Sequence, residues 1–295
     1  MELLRNVDLA PFTSIRIGGK ASFFASVRDP EALRDLIFFA REKDLPLFVL
    51  GGGSNTVFGD VEGLVLNLRP MKRLKVVEAK GGLRIEAGAG VPLREIVSLA
   101  LREKLKGFYR LSGFPATMGG AVTMNAGAFG VEVADFLETV TFMDWEGKIH
   151  RVGREELDFG YRRSPFPGSG VVLSCELFLE RGDTEAQAVF EDLRRKRNST
   201  QPLRLPTSGS TFKNPPGAYA GKLLEEVGMK GYRIGGVAFS EVHANFLVNC
   251  GGGSLGEVLR IVEEAKRRVR EEFGIELEEE VRLVEGRCSD GWKVL

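Results

Sequence analysis

A glycine loop is the segment of this chain best suited to holding a phosphate. Gly51-Gly52-Gly53-Ser54-Asn55 follows a short apolar run, so the loop is predicted to leave a buried strand. Bare backbone N–H groups can approach a diphosphate closely, whereas a side chain at those positions would collide with it. From these residues alone, a plain tight turn and a phosphate-binding loop are equally acceptable interpretations.

Two standard nucleotide-binding motifs are incomplete in this chain. Gly88-Ala89-Gly90 precedes a helix but lacks the third glycine of the dinucleotide fingerprint. In the segment 217–222 only three residues separate the glycines, and Leu223 occupies the position of the magnesium-binding Ser or Thr. A second triplet, Gly251-Gly252-Gly253, precedes Ser254 and is interpreted as a hinge followed by a helix N-cap. Rossmann and P-loop enzymes are therefore disfavoured.

The charge balance argues against a general attraction to nucleic acid or to an anionic membrane. The 41 Lys and Arg residues equal the 41 Asp and Glu residues, so any phosphate must be bound locally. No stretch approaches the roughly 18 apolar residues of a membrane span, and residues 1–11 lack the apolar core of a secretion signal. We expect a cytoplasmic protein, a monomer, with neither nucleic acid nor membrane as partner.

The cysteines and histidines do not suggest a metal site. Cys175, Cys250 and Cys288 lie far apart in the sequence, and His150 and His243 are the two imidazoles. No spacing among them resembles a zinc or iron–sulfur site, so no metal is predicted.

Strands and helices are interleaved around the glycine loop. Asp29-Pro30 is typical of an N-cap followed by proline at the first helical position, and Pro92 opens a second helix. Apolar runs and turn residues predict strands, including a hairpin around Gly81-Gly82. The predicted strands are 45–50, 64–68, 74–78, 83–87, two flanking the turn 144–147, and 171–179.

The C-terminal part of the sequence differs from the N-terminal part in its composition and in its pattern of predicted elements. A charged helix at 184–197 leads into the proline-bearing stretch 201–206, where a domain boundary is expected. The remainder is predicted to be helix, strand, helix and strand, ending with a helix at 255–273 and a strand at 275–284. The fold class is α+β, because the strict alternation of a doubly wound sheet is missing.

Six ordered motifs resemble those of the UDP-N-acetylenolpyruvoylglucosamine reductase family, and they span nearly the whole chain. They are Thr13-Ser14-Ile15-Arg16-Ile17-Gly18-Gly19, the loop 51–55, Gly119-Gly120-Ala121 with Met124-Asn125-Ala126-Gly127-Ala128, Phe159-Gly160-Tyr161-Arg162, Gly209-Ser210-Thr211-Phe212-Lys213-Asn214-Pro215, and Glu280-Val281-Arg282. Each motif is weak alone, and the ordered set is specific.

This resemblance implies an FAD-binding domain of the vanillyl-alcohol-oxidase (PCMH) type at 1–186, in two subdomains dividing near 70, and a smaller α+β substrate-binding domain at 187–295. It also explains why the segment 112–130 is nearly uncharged, since that segment would lie along the flavin. The implied cofactor-binding residues are Arg16, Gly51, Gly52, Gly53, Ser54, Asn55, Pro115, Gly119, Gly120, Asn125, Ala126 and Gly127.

The reaction implied by the resemblance is reduction of an enolpyruvyl ether to a lactyl ether, with FAD as bound cofactor and NADPH as cosubstrate. By motif position, Ser210 would donate the proton, while Arg162 and Glu280 would stabilise the intermediate. A guanidinium suits a carboxylate substrate, because its paired donors match the two oxygens. A serine is a poor acid alone, so Lys213, Asn214 or a water is expected to assist Ser210.

Some of these residues have ordinary structural interpretations as well. Ser210 lies in a turn-like Ser-Gly-Ser stretch, and adjacent arginines such as Arg162 and Arg163 are usually solvated. Strand alternation alone would place Glu279, rather than Glu280, among the core residues. We follow the motif for Glu280 and keep Glu279 as the alternative.

More residues are expected to bind the substrate than to take part in catalysis, and the sequence supports each of them less strongly. The interval from Arg162 to Ser210 is too short for the tyrosine-bearing loop of the longer family members, which indicates the shorter subgroup. The residues expected to contact the substrate are Tyr161, Lys213, Asn214, Tyr219, Lys222, Arg233 and His243. For His243, a hydrogen-bonded structural role is an equally good interpretation.

Two further functions are compatible with these residues. One is a flavin oxidoreductase of the same fold with a different substrate, and the other is a nucleotide-sugar-binding protein without catalysis. Flavin absorbance in the purified protein separates the second from an enzyme, and reoxidation of the reduced flavin by the enolpyruvyl substrate separates the first.

Overall fold

The computed structural model describes residues 2–286 and contains two five-stranded sheets, a four-stranded sheet and a two-stranded ribbon. Cys288, one of the three cysteines considered in the sequence analysis, lies outside the described residues. The α+β class predicted from the sequence is confirmed, because helices and mostly antiparallel strands are interleaved along the chain.

The first sheet is mixed and carries the glycine loop at its edge. Its N-terminal elements are β1 (Leu3–Asp8), β2 (Lys20–Ser26), α1 (Pro30–Glu42), β3 (Leu47–Leu50) and β4 (Thr56–Asn67). The Asp29 side chain caps α1 by accepting a 2.8 Å hydrogen bond from the Ala32 N–H, and Pro30 occupies the first turn. The predicted start of this helix is therefore confirmed.

The second sheet is antiparallel. Its region comprises β5 (Leu74–Ala79), β6 (Gly82–Gly88), α2 (Leu93–Arg102), α3 (Met118–Thr123), β7 (Gly127–Ala128), β8 (Val131–Glu132), β9 (Leu137–Asp144), β10 (Ile149–Gly153), α4 (Phe166–Ser169) and β11 (Gly170–Glu180). The strand order in this sheet is β10-β9-β11-β6-β5. The predicted hairpin and the helix after Pro92 are confirmed. As expected, much of the segment 112–130 is buried, and its side chains Met118, Ala121 and Val122 belong to the core beneath this sheet.

The C-terminal part of the chain contains α5 (Ala186–Thr200), β12 (Thr207–Ser210), α6 (Ala220–Glu226), β13 (Arg233–Ile234), β14 (Val237–Phe239), β15 (Phe246–Asn249), α7 (Leu255–Phe273) and β16 (Arg282–Gly286). Four of these strands form the third sheet, in the order β12-β15-β14-β13. The last helix has the predicted bounds, and Ser254 with Glu257 forms a reciprocal capping box at its start.

Two predictions for this part of the chain are wrong. The helix–strand–helix–strand order missed the short antiparallel strands β13, β14 and β15, whose few residues give no clear alternation. The final strand begins at Arg282 rather than at residue 275, because the preceding residues pair only through an isolated bridge between Phe212 and Glu279.

Segments from each side of the predicted domain boundary at residue 187 pack against the other side. Strand β16 pairs in parallel with β4 and so completes the first sheet. Helix α5 packs onto the core of the second sheet through Ala186 and neighbouring apolar residues. In return, Ile15 and Ile17 belong to the core around α7. The two halves of the chain are therefore interlocked by segments that lie far apart in sequence.

None of the helices within residues 2–286 is long and apolar enough to cross a membrane.

Candidate active site

The glycine loop leaves its backbone N–H groups without a hydrogen-bond acceptor among the described residues. Its carbonyl groups are engaged, since Arg69 donates to the oxygens of Gly51 and Gly52 at 2.9 Å and Ser14 donates its N–H to that of Gly53. Among the hydrogen bonds of residues 2–286, none has a backbone N–H of the loop 51–55 as donor. A run of free N–H groups beside a cavity is the arrangement that binds phosphate.

The three glycines are needed for packing against the protein. A Cβ on Gly51 would lie 2.6 Å from the Thr117 hydroxyl oxygen, and one on Gly52 would collide with the backbone oxygen of Pro115. Gly53 has φ of +62°, which favours glycine, and its Cβ would meet a backbone oxygen. The sequence argument assigned these glycines to the ligand side, whereas the structure shows that they let the loop lie flat on its neighbours.

The loop borders a cavity of about 550 Å³. Its walls include small and apolar residues from the uncharged segment, among them Pro115, Gly120, Ala126 and Gly127. A Cβ on Gly120 would have open space apart from one contact at 3.6 Å. Nine of the twelve residues predicted to bind the cofactor line this cavity: Gly51, Gly52, Gly53, Ser54, Asn55, Pro115, Gly120, Ala126 and Gly127.

The other three predicted cofactor residues, Arg16, Gly119 and Asn125, do not line the cavity. Arg16 lies where the two halves of the chain meet, and its carbonyl accepts a hydrogen bond from Asn249. The N–H of Gly119 donates to the Ala89 carbonyl, and a Cβ there would meet Ala89.

Asn125 is fully buried and its amide is engaged within the protein. It donates to the Glu132 carboxylate at 2.7 Å and to the Gly160 carbonyl at 2.9 Å, and it accepts from the Ala134 N–H. These bonds tie the uncharged segment to the turn that carries Arg162, so Asn125 supports the cavity wall.

Arg162 and Glu280 form an ion pair at the cavity, although 118 residues separate them in sequence. The Arg162 Nε lies 2.6 Å from a Glu280 carboxylate oxygen, and the two side chains are 19% and 15% exposed. Burial raises the pKa of the Glu280 carboxyl, and the charge and hydrogen bond of Arg162 oppose that rise. The adjacent-arginine argument for a solvated Arg162 is therefore overturned.

The structure distinguishes Glu280 from its alternative Glu279. Glu279 accepts a 2.9 Å hydrogen bond from Lys266 and does not line the cavity. Glu280 faces the cavity because this segment binds the glycine loop through its backbone: the Asn55 amide donates to the Glu280 carbonyl at 2.8 Å. Leu277 and Val281 are buried in the core, as alternation predicts for the face that includes Glu279, and Glu280 enters the cavity from the other face.

Ser210 ends β12 and lines the same cavity as Arg162 and Glu280. Within residues 2–286, no hydrogen bond involves its hydroxyl group. The residues expected to assist it are engaged elsewhere: Lys213 pairs with Glu278, and the Asn214 side-chain oxygen accepts from the Ala220 N–H.

A second cavity of about 650 Å³ adjoins the first, and Arg162 and Arg282 line both. Tyr161, Lys213 and Asn214 line the second cavity, as three of the seven predicted substrate residues. The other four, Tyr219, Lys222, Arg233 and His243, line neither cavity.

These four residues have other surroundings. Tyr219 is exposed, and the Lys222 side chain pairs with Glu226 on the surface of α6. Arg233 donates to the carbonyl of Gly235. His243 packs on Phe246, and burial lowers its pKa. Because they line neither cavity, their contact with a substrate stays a prediction.

Comparison with known proteins identifies the family. Residues 201–284 match the family described as UDP-N-acetylenolpyruvoylglucosamine reductase, C-terminal domain, and residues 21–153 match the FAD binding domain. A UDP-N-acetylenolpyruvoylglucosamine reductase of Aquifex aeolicus (strain VF5) is 54% identical over 295 residues, covering 100% of this chain and 99% of the relative. The chain belongs to the UDP-N-acetylenolpyruvoylglucosamine reductase family.

Other members of this family are also similar to the chain over nearly its whole length. The reductase of Caldanaerobacter subterraneus subsp. tengcongensis is 39% identical over 287 residues, covering 96% of this chain and 94% of the relative. The crystal structure of the reductase from Thermus caldophilus matches with a TM-score of 0.78 at 36% identity, covering 96% of this chain and 98% of that one. The resemblance seen in the six motifs and the expected FAD-binding domain are thus confirmed.

The sequence argument missed three residues of this reductase's site. Ser14 donates its hydroxyl to the Thr207 carbonyl at 2.6 Å and so joins the glycine loop to β12. Arg69 orients the loop, and Arg282 lies between the two cavities. Ser14 and Arg282 stood inside recognised motifs, which was the available signal, whereas the sequence around Arg69 carries none.

Proposed function

We propose that this chain reduces UDP-N-acetylglucosamine enolpyruvate to UDP-N-acetylmuramate, using NADPH and a bound FAD, in the synthesis of peptidoglycan precursors. Its membership of the reductase family supports this activity. The observation that carries the assignment is one cavity bordered by both the free N–H groups of the glycine loop and the trio Ser210, Arg162 and Glu280.

The residues around the first cavity fit an FAD. The loop 51–55 would hold the diphosphate through its free N–H groups. Gly120, Ala126 and Gly127 leave room for a flat ring system against the backbone. The Thr117 hydroxyl is buried in the cavity wall without a hydrogen-bond partner among residues 2–286, as expected for a group that binds a ligand.

The reaction adds a hydride and a proton across the enolpyruvyl double bond. The chemistry that a bound FAD would supply is hydride transfer, from NADPH to the terminal carbon of that group. The protein must then bind the substrate carboxylate, stabilise the negative charge that develops on the adjacent carbon, and deliver a proton to that carbon.

Arg162 is suited to stabilise this charge. Its Nε and Nη2 atoms are held by Glu280 and by the Gly127 carbonyl, which keep the guanidinium in one orientation. Its Nη1 amino group donates to no residue in the part of the chain described, so it is available to a substrate carboxylate. A preoriented cation stabilises the transition state more than the ground state, because the charge grows as the hydride arrives.

Ser210 would donate the proton to the carbon next to the carboxylate. Its hydroxyl is free for this role within the described protein, and Gly209 before it has φ of +80°, a conformation that favours glycine. Lys213 and Asn214 line the second cavity rather than the first, which contains Ser210, so an ordered water is the remaining assistant among those expected.

The second cavity would receive the nucleotide-sugar beyond the enolpyruvyl group. It joins the first cavity at Arg162 and Arg282, and Lys213 adds a further cation to its wall. Tyr161 and Asn214 lie beside them. The second cavity also contains Glu276 and Glu278, the latter paired with Lys213, so a diphosphate sugar would meet unpaired positive charge chiefly where Arg282 lines both cavities.

The test separates the two half-reactions. Purified protein should show flavin absorbance, NADPH should reduce the flavin, and anaerobic addition of the enolpyruvyl substrate should reoxidise it. Ser210→Ala should leave the first step intact and slow the second about 100- to 10,000-fold. Ser199→Ala, on the surface of α5, is the control and should alter neither step.

Other outcomes would contradict the proposal. Failure of the substrate to reoxidise the flavin would favour a flavin oxidoreductase with another substrate. Failure to bind flavin after reconstitution would favour a nucleotide-sugar-binding protein. Equal damage to both steps in Ser210→Ala would contradict the proton-donor role. The monomeric state, the cytoplasmic location and the preference for NADPH over NADH also stay predictions.

A further inference from the structure

A partly buried guanidinium from α5 has no role in the steps proposed above. Arg197 lies near the C-terminal end of that helix and lines the first cavity. Its guanidinium carbon is 5.7 Å from the ring centre of Phe114 and 5.2 Å from that of Phe129. A Cβ on Gly113 would lie 2.6 Å from the Arg197 Nε. Two aromatic rings and a glycine therefore form a slot for this side chain.

The charge of Arg197 is poorly compensated by the protein. Its Nη1 donates to the neutral side chain of Gln201 at 3.2 Å, and its Nε is buried without a hydrogen-bond partner in the described structure. Burial lowers its pKa. Arg69, which burial affects in the same way, instead donates to three backbone carbonyls. An uncompensated guanidinium at a cavity costs free energy unless an anion binds there.

Other unsatisfied polar groups lie around the same cavity. The hydroxyls of Thr117 and Ser208 are buried and, like the Arg197 Nε, have no partner within residues 2–286. The free N–H groups of the loop 51–55 add to this set. Hydroxyl, amide and guanidinium donors from separate parts of the chain thus line one cavity, and a ligand rich in acceptor oxygens would satisfy them.

The charges lining the cavity favour an anion. They belong to Arg162, Arg197, Arg282 and Glu280. The only carboxylate of this lining, Glu280, is paired with Arg162. Two arginines of the described lining, Arg197 and Arg282, are therefore left without a carboxylate partner.

We propose that Arg197 binds a phosphate or diphosphate group of the ligand in the first cavity. This inference rests on the proposed function, which brings three phosphate-bearing molecules to the site: FAD, NADPH and the UDP-sugar. The residue lies between the two segments matched by family comparison, 21–153 and 201–284. The aromatic slot would hold the guanidinium plane in place, so that its donors form paired hydrogen bonds with phosphate oxygens.

The test compares Arg197→Met with Arg194→Met. Methionine keeps much of the length of the side chain and removes its charge. Arg194 lies on the same helix, pairs with Glu191 and is largely exposed, so its substitution is a matched loss of charge outside the cavity. For each protein we would measure the dissociation constant of FAD by reconstituting flavin-free protein, and those of NADP⁺ and UDP-N-acetylglucosamine with the flavin bound.

The source of the phosphate decides which constant changes. If Arg197 binds the FAD diphosphate, Arg197→Met weakens FAD binding roughly 10- to 100-fold, as expected for a lost charged hydrogen bond, and leaves the two nucleotide constants unchanged. If it binds a nucleotide phosphate, the constant for NADP⁺ or UDP-N-acetylglucosamine rises by a similar factor instead. Three constants that equal those of Arg194→Met would overturn the proposal.

A second variant covers the case in which Arg197→Met does not fold. Arg197→Lys keeps the positive charge and loses the planar fork, so a smaller rise of about 3- to 10-fold is expected in the same constant. Wild-type constants in this variant would then overturn the proposal. A wild-type protein that binds no FAD would contradict the proposed function itself, whereas a wild type that binds FAD beside an unaffected Arg197→Met contradicts only this inference.

Discussion

Arg162→Met would isolate the energy of the ion pair at the centre of the candidate site. The variant keeps an apolar stem and leaves the Glu280 carboxylate, 15% exposed, without its 2.6 Å partner. Removing one member of a buried pair costs about 3–5 kcal/mol, because the remaining charge stays buried without compensation. The partial exposure of this pair puts the expected loss in the free energy of unfolding near the lower end, at about 3 kcal/mol.

The loss should depend on pH in a defined direction. Burial already raises the pKa of Glu280, and Arg162 opposes the rise, so the variant should raise it further. A carboxyl with a folded-state pKa above its unfolded value contributes stability at low pH, and this contribution disappears as pH rises through the folded pKa. The deficit of the variant relative to the wild type should therefore be largest at neutral to alkaline pH, where the carboxyl is ionised, and should shrink as the pH is lowered into the acidic range.

Urea unfolding followed by circular dichroism, across this pH range, would measure the deficit. It should be done at one FAD concentration and again without flavin, so that a change in cofactor affinity is not mistaken for the ion-pair energy. Arg163→Met is the control, since Arg163 pairs with Asp158 and their side chains are 61% and 74% exposed. That surface pair should contribute little to the free energy of unfolding, because both side chains are solvated.

A double substitution completes the design. Adding Glu280→Gln to Arg162→Met removes the stranded charge and should recover part of the lost stability. Equal losses in Arg162→Met and Arg163→Met, or a deficit that does not shrink at lower pH, would refute the claim that a buried carboxylate depends on Arg162.

Three further predictions address the loop, its link to the catalytic segment and the last helix. Gly53→Ala, at φ of +62° and against a backbone oxygen, should sharply reduce flavin retention measured by absorbance, whereas Gly256→Ala in open space on α7 should add about 0.5–1 kcal/mol of stability. Asn55→Ala, which removes the 2.8 Å hydrogen bond to the Glu280 carbonyl, should slow substrate reduction more than flavin reduction in stopped-flow assays, and an equal effect on both would contradict the link. Ser254→Ala, which removes the N-cap of α7, should lower the free energy of unfolding by about 1 kcal/mol in urea and leave both half-reactions unchanged.

Local signals in the sequence were reliable where neighbouring residues supply the stabilising contacts. The Asp29 cap with Pro30 determines the start of α1, and Ser254 with Glu257 determines that of α7. The hairpin of β5 and β6 likewise follows from alternation and a glycine turn. In each case the hydrogen bonds that define the element join residues close in sequence, so a short window of residues contains the whole argument.

Predictions from local sequence pattern failed where a segment is held by hydrogen bonds to residues that lie far away in the sequence. A strand was predicted from residue 275, but it begins at Arg282, and the preceding residues are held by the Asn55 amide and the bridge to Phe212. The motif predicted that Asn125 binds the cofactor, yet its side-chain amide is hydrogen-bonded to the Glu132 carboxylate and to two backbone groups. No short sequence window contains both members of the contacts that join Asn55 to Glu280, Phe212 to Glu279 and Asn125 to Gly160.

By itself, the sequence determined the family, the α+β class, the glycine loop and the six motifs that carry the candidate site. Only the tertiary structure decided that Arg162 and Glu280 form a pair, that Ser210 opens into the same cavity as the loop, and that β16 completes the N-terminal sheet. The physical reason is that residue type and spacing record what a segment can do locally. Burial and charge compensation depend on which distant segments share the same space.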